Sequence, residues 1–196
     1  RGGMRVLGVD PSTRATGFGT VESQGNRLVR IESGIIRPPR DAALPARLSH
    51  LFRGLAETIR SCRPSVVAIE GIFAARNVRS TMTLGHARGV VVLAAALEEL
   101  PVVEYSPQEV KRGLVGTGRA TKEQVRGMVE RLLDVSGLAG DDVSDALALA
   151  ITHLHASRLI QLAGREGGQP PSRGSRRRSV NLRLAWERRL GPDREA

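Results

Sequence analysis

The 196-residue sequence predicts a mixed α/β domain with one five-stranded sheet flanked by helices. Two patterns carry that prediction. Three strand-like segments open the chain in succession, and helical and strand-like segments alternate after them. An apolar fraction of 40% also supplies a core, although aromatic residues make up only 3%.

Arg5–Asp10 (RVLGVD) reads as a buried strand that ends in a carboxylate. Pro11 follows at once and has no N–H to continue a ladder. Thr16–Glu22 and Leu28–Ile36 read as two more strands joined at Gln24-Gly25-Asn26, giving an antiparallel meander. Leu44–Cys62 places Leu48, Leu51, Phe52, Leu55 and Ile59 on one helical face, and Pro64 closes it. Ser65–Glu70 is a second short apolar strand ending in an acid, and Thr81–Leu100 is an Ala- and Val-rich helix. Pro101–Tyr105 is the fifth strand. Ser106-Pro107-Gln108-Glu109 starts a helix with proline in its first turn. Thr121-Lys122-Glu123-Gln124 fits a capping box for a helix to about Val135, and Asp141–Leu162 is the last long helix.

These elements make residues 4–163 one folded domain. Residues 164–196 read as a basic, largely disordered tail. Gly164–Arg178 is Gly, Pro, Ser and Arg with little to bury, and Val180–Leu190 has only weak helical spacing. Arg1, Gly2 and Gly3 precede Met4 and read as the remnant of an expression tag.

A net charge of +10 points to a polyanionic partner, and nucleic acid leads. No apolar run approaches the roughly 18 residues that span a bilayer, and the start has no apolar signal segment. The expectation is a cytoplasmic protein that does not engage membranes. The single cysteine, Cys62, excludes an internal disulfide and a cysteine-based zinc site. Of 30 basic residues only Lys111 and Lys122 are lysines. A compact ammonium is required at those positions, or the two are chance survivors of an arginine preference. Arg165–Ala196 holds nine arginines against four acids, half of the net charge.

The acids suggest chemistry. Asp10 and Glu70 terminate the two most apolar strands, and Asp142 and Asp145 lie three apart on one helical face. Carboxylates gathered near an interior repel one another and lose hydration, and a cation removes both costs. Oxygen ligands without His or Cys suit Mg²⁺ or Mn²⁺. Two such ions ~3.5–4 Å apart can hold a phosphodiester between attacking water and leaving oxygen. Taken singly, each acid has a plainer reading: Asp10 as a turn former, Glu70 as a solvated strand end, Asp141 and Asp142 as helix-dipole partners.

Five segments together, GVDPSTRATGFG, VVAIEGIF, LGHARG, SPQEVKRGLVGTGRATKEQV and DDVSDALALAITH, resemble the RuvC family of Holliday-junction resolvases in order and spacing. The likeness runs from Met4 to about Arg158. It implies a ribonuclease-H-like fold, a homodimer, and paired Mg²⁺-dependent nicks in opposite strands of a four-way DNA junction during recombination and repair. It also implies the family's branch-migration proteins RuvA and RuvB as partners. The family's four acidic positions fall on Asp10, Glu70, Asp142 and Asp145. Asp142 stands at the most variable of them, where some members carry His. On this resemblance Asp10 bridges two ions, Glu70 shares one, and Asp142 and Asp145 hold the ion that activates water.

The family's two basic active-site positions fall on Lys111 and Lys122, this chain's only lysines. Lys122 would neutralise charge building on the phosphate, and Lys111, with Arg112 beside it, would grip a neighbouring phosphate. Phe73 matches an aromatic that stacks on an unpaired base near the crossover. Arg14, Arg76, Asn77 and Arg79 are the remaining candidates for DNA contact. The helix from Thr81 carries apolar residues on more than one side, leaving one face for the dimer partner. A sugar kinase sharing the fold would need a second phosphate loop and a further subdomain. A nuclease for RNA–DNA hybrids and a non-enzymatic binder stay as alternatives; the binder explains the charge but not four acids.

Overall fold

The computed structural model describes the backbone of residues 3–71 and 78–165 and the side chains of 3–71 and 81–162. Phe73, Arg76, Asn77 and the tail beyond Arg165 lie outside the described residues, as does the side chain of Arg79.

The elements run β1 (Arg5–Asp10), β2 (Thr16–Gln24), β3 (Arg27–Ile36), α1 (Leu44–Cys62), β4 (Val66–Glu70), α2 (Val78–Leu97), β5 (Val102–Tyr105), α3 (Pro107–Val115), α4 (Lys122–Leu133) and α5 (Asp141–Arg165). The five strands form one mixed sheet in the order β3-β2-β1-β4-β5. The meander β1–β2–β3 is antiparallel, and β4 and β5 add parallel to β1. The central strand β1 places Val9 opposite Ile69 of β4 and Asp10 opposite Gly17 of β2.

Strand alternation divides the core in two. Leu7, Val9, Val67, Ile69 and Val102 face α1 and α2. Val6, Val66 and Ala68 face α5, with α3 and α4 packed beyond. Asp10 and Glu70 follow in register on the α5 side, so the pleat alone sends both carboxylates to one face.

Several boundaries differ from the sequence expectation, the C-terminal ends of α2 and α4 for a clear local reason. The Ala- and Val-rich helix spans 78–97 rather than 81–100: Glu99 takes φ +54°, and the Leu100 amide returns to the Ala95 carbonyl at 2.9 Å. Leu100 precedes Pro101, which disfavours helical backbone there. Helix α4 stops at Leu133 because Asp134 turns left-handed and its N–H caps Glu130. Helix α5 runs on to Arg165. The Thr121 capping box forms as expected, and Ser106 and Glu109 make a second one at α3.

Helix α5 lies unusually close to the sheet. A Cβ on Gly8 would stand 1.9 Å from the Ala146 carbonyl oxygen. One on Gly17 would stand 2.1 Å from the Asp142 carbonyl oxygen. Both obstacles are backbone and cannot swing aside. Gly8→Ala should therefore cost about 3 kcal/mol of stability, the upper range for overpacking. Gly17→Ala meets only the first turn of α5, so it should lose less stability but disproportionate activity by displacing Asp142 and Asp145. Urea unfolding together with single-turnover rates checks both.

Candidate active site

At the C-terminal ends of β1 and β4 a cavity of about 240 Å³ opens between the sheet and α3, α4 and α5. Asp10, Glu70, Asp145, Lys111 and Lys122 line it, with Pro107, Val110, Val125 and Leu149 forming apolar walls. Each polar group arrives on a different rigid element. Asp10 and Glu70 come from strand ends, Asp145 from the second turn of α5, Lys111 from α3, and Lys122 from the first residue of α4. The Lys122 Nζ is 3.5 Å from Asp145 Oδ2.

The electrostatics record an uncompensated cluster. Burial, then the charges of Asp145, Glu70 and Asp142, push the Asp10 carboxyl from 3.8 up to about 7. Burial also raises Glu70, with Asp145 adding to it. Asp145 is raised because burial outweighs the nearby Lys122. Asp145 in turn raises the Lys122 ammonium. Facing acids displaced upward in this way have too little positive charge among them.

Asp142 stands apart. It does not line the cavity, although its charge is felt by Asp10 and Asp145 and it packs against Gly17. Asp141 instead pairs with Arg126 at 3.5 Å, consistent with its plainer reading at the helix start. Among the described residues no three Asp, Glu, His or Cys side chains are close enough to enclose one ion. Oxygen donors alone, held apart across a small polar cavity with raised carboxyls, still fit a hard divalent cation that keeps part of its water shell. Asp10, Glu70 and Asp145 would hold it, with Asp142 adjacent.

Arg14 is exposed on the β1–β2 loop, which the Thr16 hydroxyl closes through Ser12. Arg112 is exposed beside Lys111 on α3 and does not line the cavity. The sequence reading missed the apolar walls, Val125 and Leu149 among them, which line the same cavity as Asp10. It also passed over Arg88, a charge set in the apolar run of α2. A larger concavity, about 960 Å³ between the β2–β3 hairpin and the end of α5, contains only Asp134 among acids and lies away from this cluster.

A carboxyl whose folded pKa lies above its unfolded value stabilises the fold at low pH. That contribution is lost as pH rises from the unfolded value of 3.8 through about 7. Above pH 7 without metal, ionised Asp10 therefore works against folding. With chelator at pH 8, Asp10→Asn should raise Tm by roughly 3–6 °C, equivalent to about 1–2 kcal/mol in a chain of this size. The gain should vanish near pH 4. Thermal melts at the two pH values measure it.

A sequence profile described as "Crossover junction endodeoxyribonuclease RuvC" matches residues 6–153. The protein of that name from Syntrophotalea carbinolica is 48% identical over 159 residues, covering 81% of this chain and 99% of its own. The one from Herminiimonas arsenicoxydans is 44% identical over 179 residues, covering 91% and 99%. That alignment is longer than the stretch up to Arg165, so part of the C-terminal segment has a counterpart there. Among solved structures, Thermus thermophilus RuvC in complex with a Holliday junction substrate superposes with a TM-score of 0.76 at 30% identity, covering 80% of this chain and 96% of that one. The yeast mitochondrial Holliday junction resolvase Ydc2 shares the fold, with a TM-score of 0.62 at 14% identity.

Proposed function

The chain belongs to the RuvC family of crossover junction endodeoxyribonucleases, and from that premise we propose how its own residues carry the reaction. It is an endonuclease that resolves four-way DNA junctions in recombination and repair. The observation that carries the mechanism is the convergence of Asp10, Glu70 and Asp145 with both lysines on one small cavity.

Asp10, Glu70 and Asp145, with Asp142 beside them, hold divalent cations, Mg²⁺ by donor chemistry and Mn²⁺ as a substitute. When bound, such ions supply Lewis acidity that activates water and neutralises the scissile phosphate. The chain does the rest. Strand ends fix Asp10 and Glu70 so that little reorganisation is needed on binding. The apolar walls exclude water and strengthen each charge inside. Lys122, exposed at the start of α4, exchanges Asp145 for the phosphate and meets the charge that develops in the transition state. Lys111 holds a neighbouring phosphate from α3. Arg14, Arg79 and Arg112 contribute backbone contacts, and Phe73, with Arg76 and Asn77, engages the unpaired centre of the junction.

Asp10→Asn and Glu70→Gln should each reduce cleavage of a four-way junction in Mg²⁺ on the order of 10³-fold, the several kcal/mol that metal assistance provides. Junction affinity should stay near wild type. Lys122→Arg keeps charge but not compactness and should lose about 10–100-fold in single-turnover rate. Equal cleavage of junction, plain duplex and RNA–DNA hybrid would instead favour a general nuclease.

Paired nicks require two sites related by a two-fold axis, which a homodimer supplies. Helix α2 offers the surface: Met82, Leu93 and Leu97 are 62%, 52% and 64% exposed, with His86 and Gly89 between them along the same face. Charge placed there, as in Leu93→Glu with Leu97→Glu, should yield a monomer in sedimentation and abolish symmetric nicking. RuvA and RuvB act with the dimer in this reading, and the basic C-terminal segment adds sequence-independent DNA affinity in the cytoplasm.

A further inference from the structure

Strand β4 ends in an irregularity. The amides of Val67 and Gly71 donate to the carbonyls of Pro101 and Tyr105, both at 2.9 Å or less, so residues 67, 69 and 71 face β5. Glu70 therefore turns its backbone toward β1. With Val9 opposite Ile69, a parallel ladder aims the amide of residue 11 at the Glu70 carbonyl. Residue 11 is Pro11, which has no N–H. Arg88 supplies the missing donor: its Nη1 reaches the Glu70 carbonyl oxygen at 2.7 Å. Its other terminal nitrogen pairs with the Glu104 carboxylate on β5, and the side chain is only 13% exposed. One half-buried guanidinium on α2 thus ties together the ends of β4 and β5, from the sheet face opposite the acid cavity.

We infer that Arg88 is a positioning residue for the acid site. It holds the last residue of β4 so that the Glu70 carboxylate is presented beside Asp10, and it touches neither substrate nor reacting atoms. The inference rests on the reading of Glu70 as a site residue. The two acceptors are met by two different nitrogens of one planar fork, a separation that the single ammonium of lysine lacks, so lysine is an incomplete replacement.

The test uses the full-length protein with Arg88→Ala, Arg88→Lys and Arg88→Ala combined with Pro11→Ala. Arg88→Ala should lower turnover on a four-way junction by about 10–100-fold and weaken Mn²⁺ binding in calorimetry by a similar factor, as is typical when a ligand's support is removed. Metal-free junction affinity should not move. Arg88→Lys should fall between. Adding Pro11→Ala restores an amide facing the Glu70 carbonyl and should recover part of both losses, which a purely structural role would not produce. Unchanged turnover and Mn²⁺ affinity in Arg88→Ala would overturn the inference, as would losses that follow Tm and are not recovered by Pro11→Ala. Glu70→Gln run alongside separates the two failures. Full activity there overturns the site assignment and the positioning role together. Loss there with wild-type behaviour in Arg88→Ala overturns the positioning role alone.

Discussion

The contact between helix α5 and the strand pair β1–β2 is the constraint on which the rest of the structure depends. Gly8 and Gly17 present bare backbone to the helix, so carbonyls of α5 approach to distances at which no Cβ would fit. Close approach seals Val6, Leu147 and Ile151 in one core. It also brings the first two turns of α5, with Asp142 and Asp145, within electrostatic reach of the end of β1. A helix held one side chain further out would still pack, but its acids would no longer act on Asp10.

That geometry opposes stability when no cation is present. Three carboxylates, Asp10, Glu70 and Asp145, converge on a partly buried site with Asp142 in electrostatic reach, and burial raises all three. The Asp10 carboxyl is raised first by burial and then by its acidic neighbours. A divalent cation held by these acids would relieve the repulsion that opposes folding at neutral pH, and binding would gain what the fold had lost. The strongly basic remainder of the chain sets a complementary long-range field. Such a field draws polyanions to the surface generally, whereas the acids are gathered at one cavity.

The sheet separates two kinds of work. On the α5 side lie the acids, the lysines and the apolar walls. On the other side α1 and α2 close a second core, and α2 leaves large apolar side chains exposed. Arg88 is the polar link described here between these layers at the site end of the sheet, reaching a strand-end carbonyl that Pro11 leaves without a ladder partner. Pro11 thus has a double consequence. It stops β1 so that Asp10 meets open space, and it makes the neighbouring strand end depend on a side chain from α2.

The sequence by itself determined the element order and the five strands, and it placed Asp10 and Glu70 at strand ends. Those properties are local: pleat alternation decides that Asp10 and Glu70 share a face, and capping residues at Thr121 mark where α4 begins. The arginine excess singled out Lys111 and Lys122 without deciding their role, which came only from the family resemblance. Only tertiary structure decided which acids gather. Asp142 and Asp145 look equivalent in a helical repeat, yet Asp145 lines the cavity and Asp142 is turned aside against Gly17. Arg88 was unreadable for the same reason. Its role depends on a hydrogen bond missing between two strands some sixty residues apart, and the register of a parallel ladder exists only once the sheet is assembled.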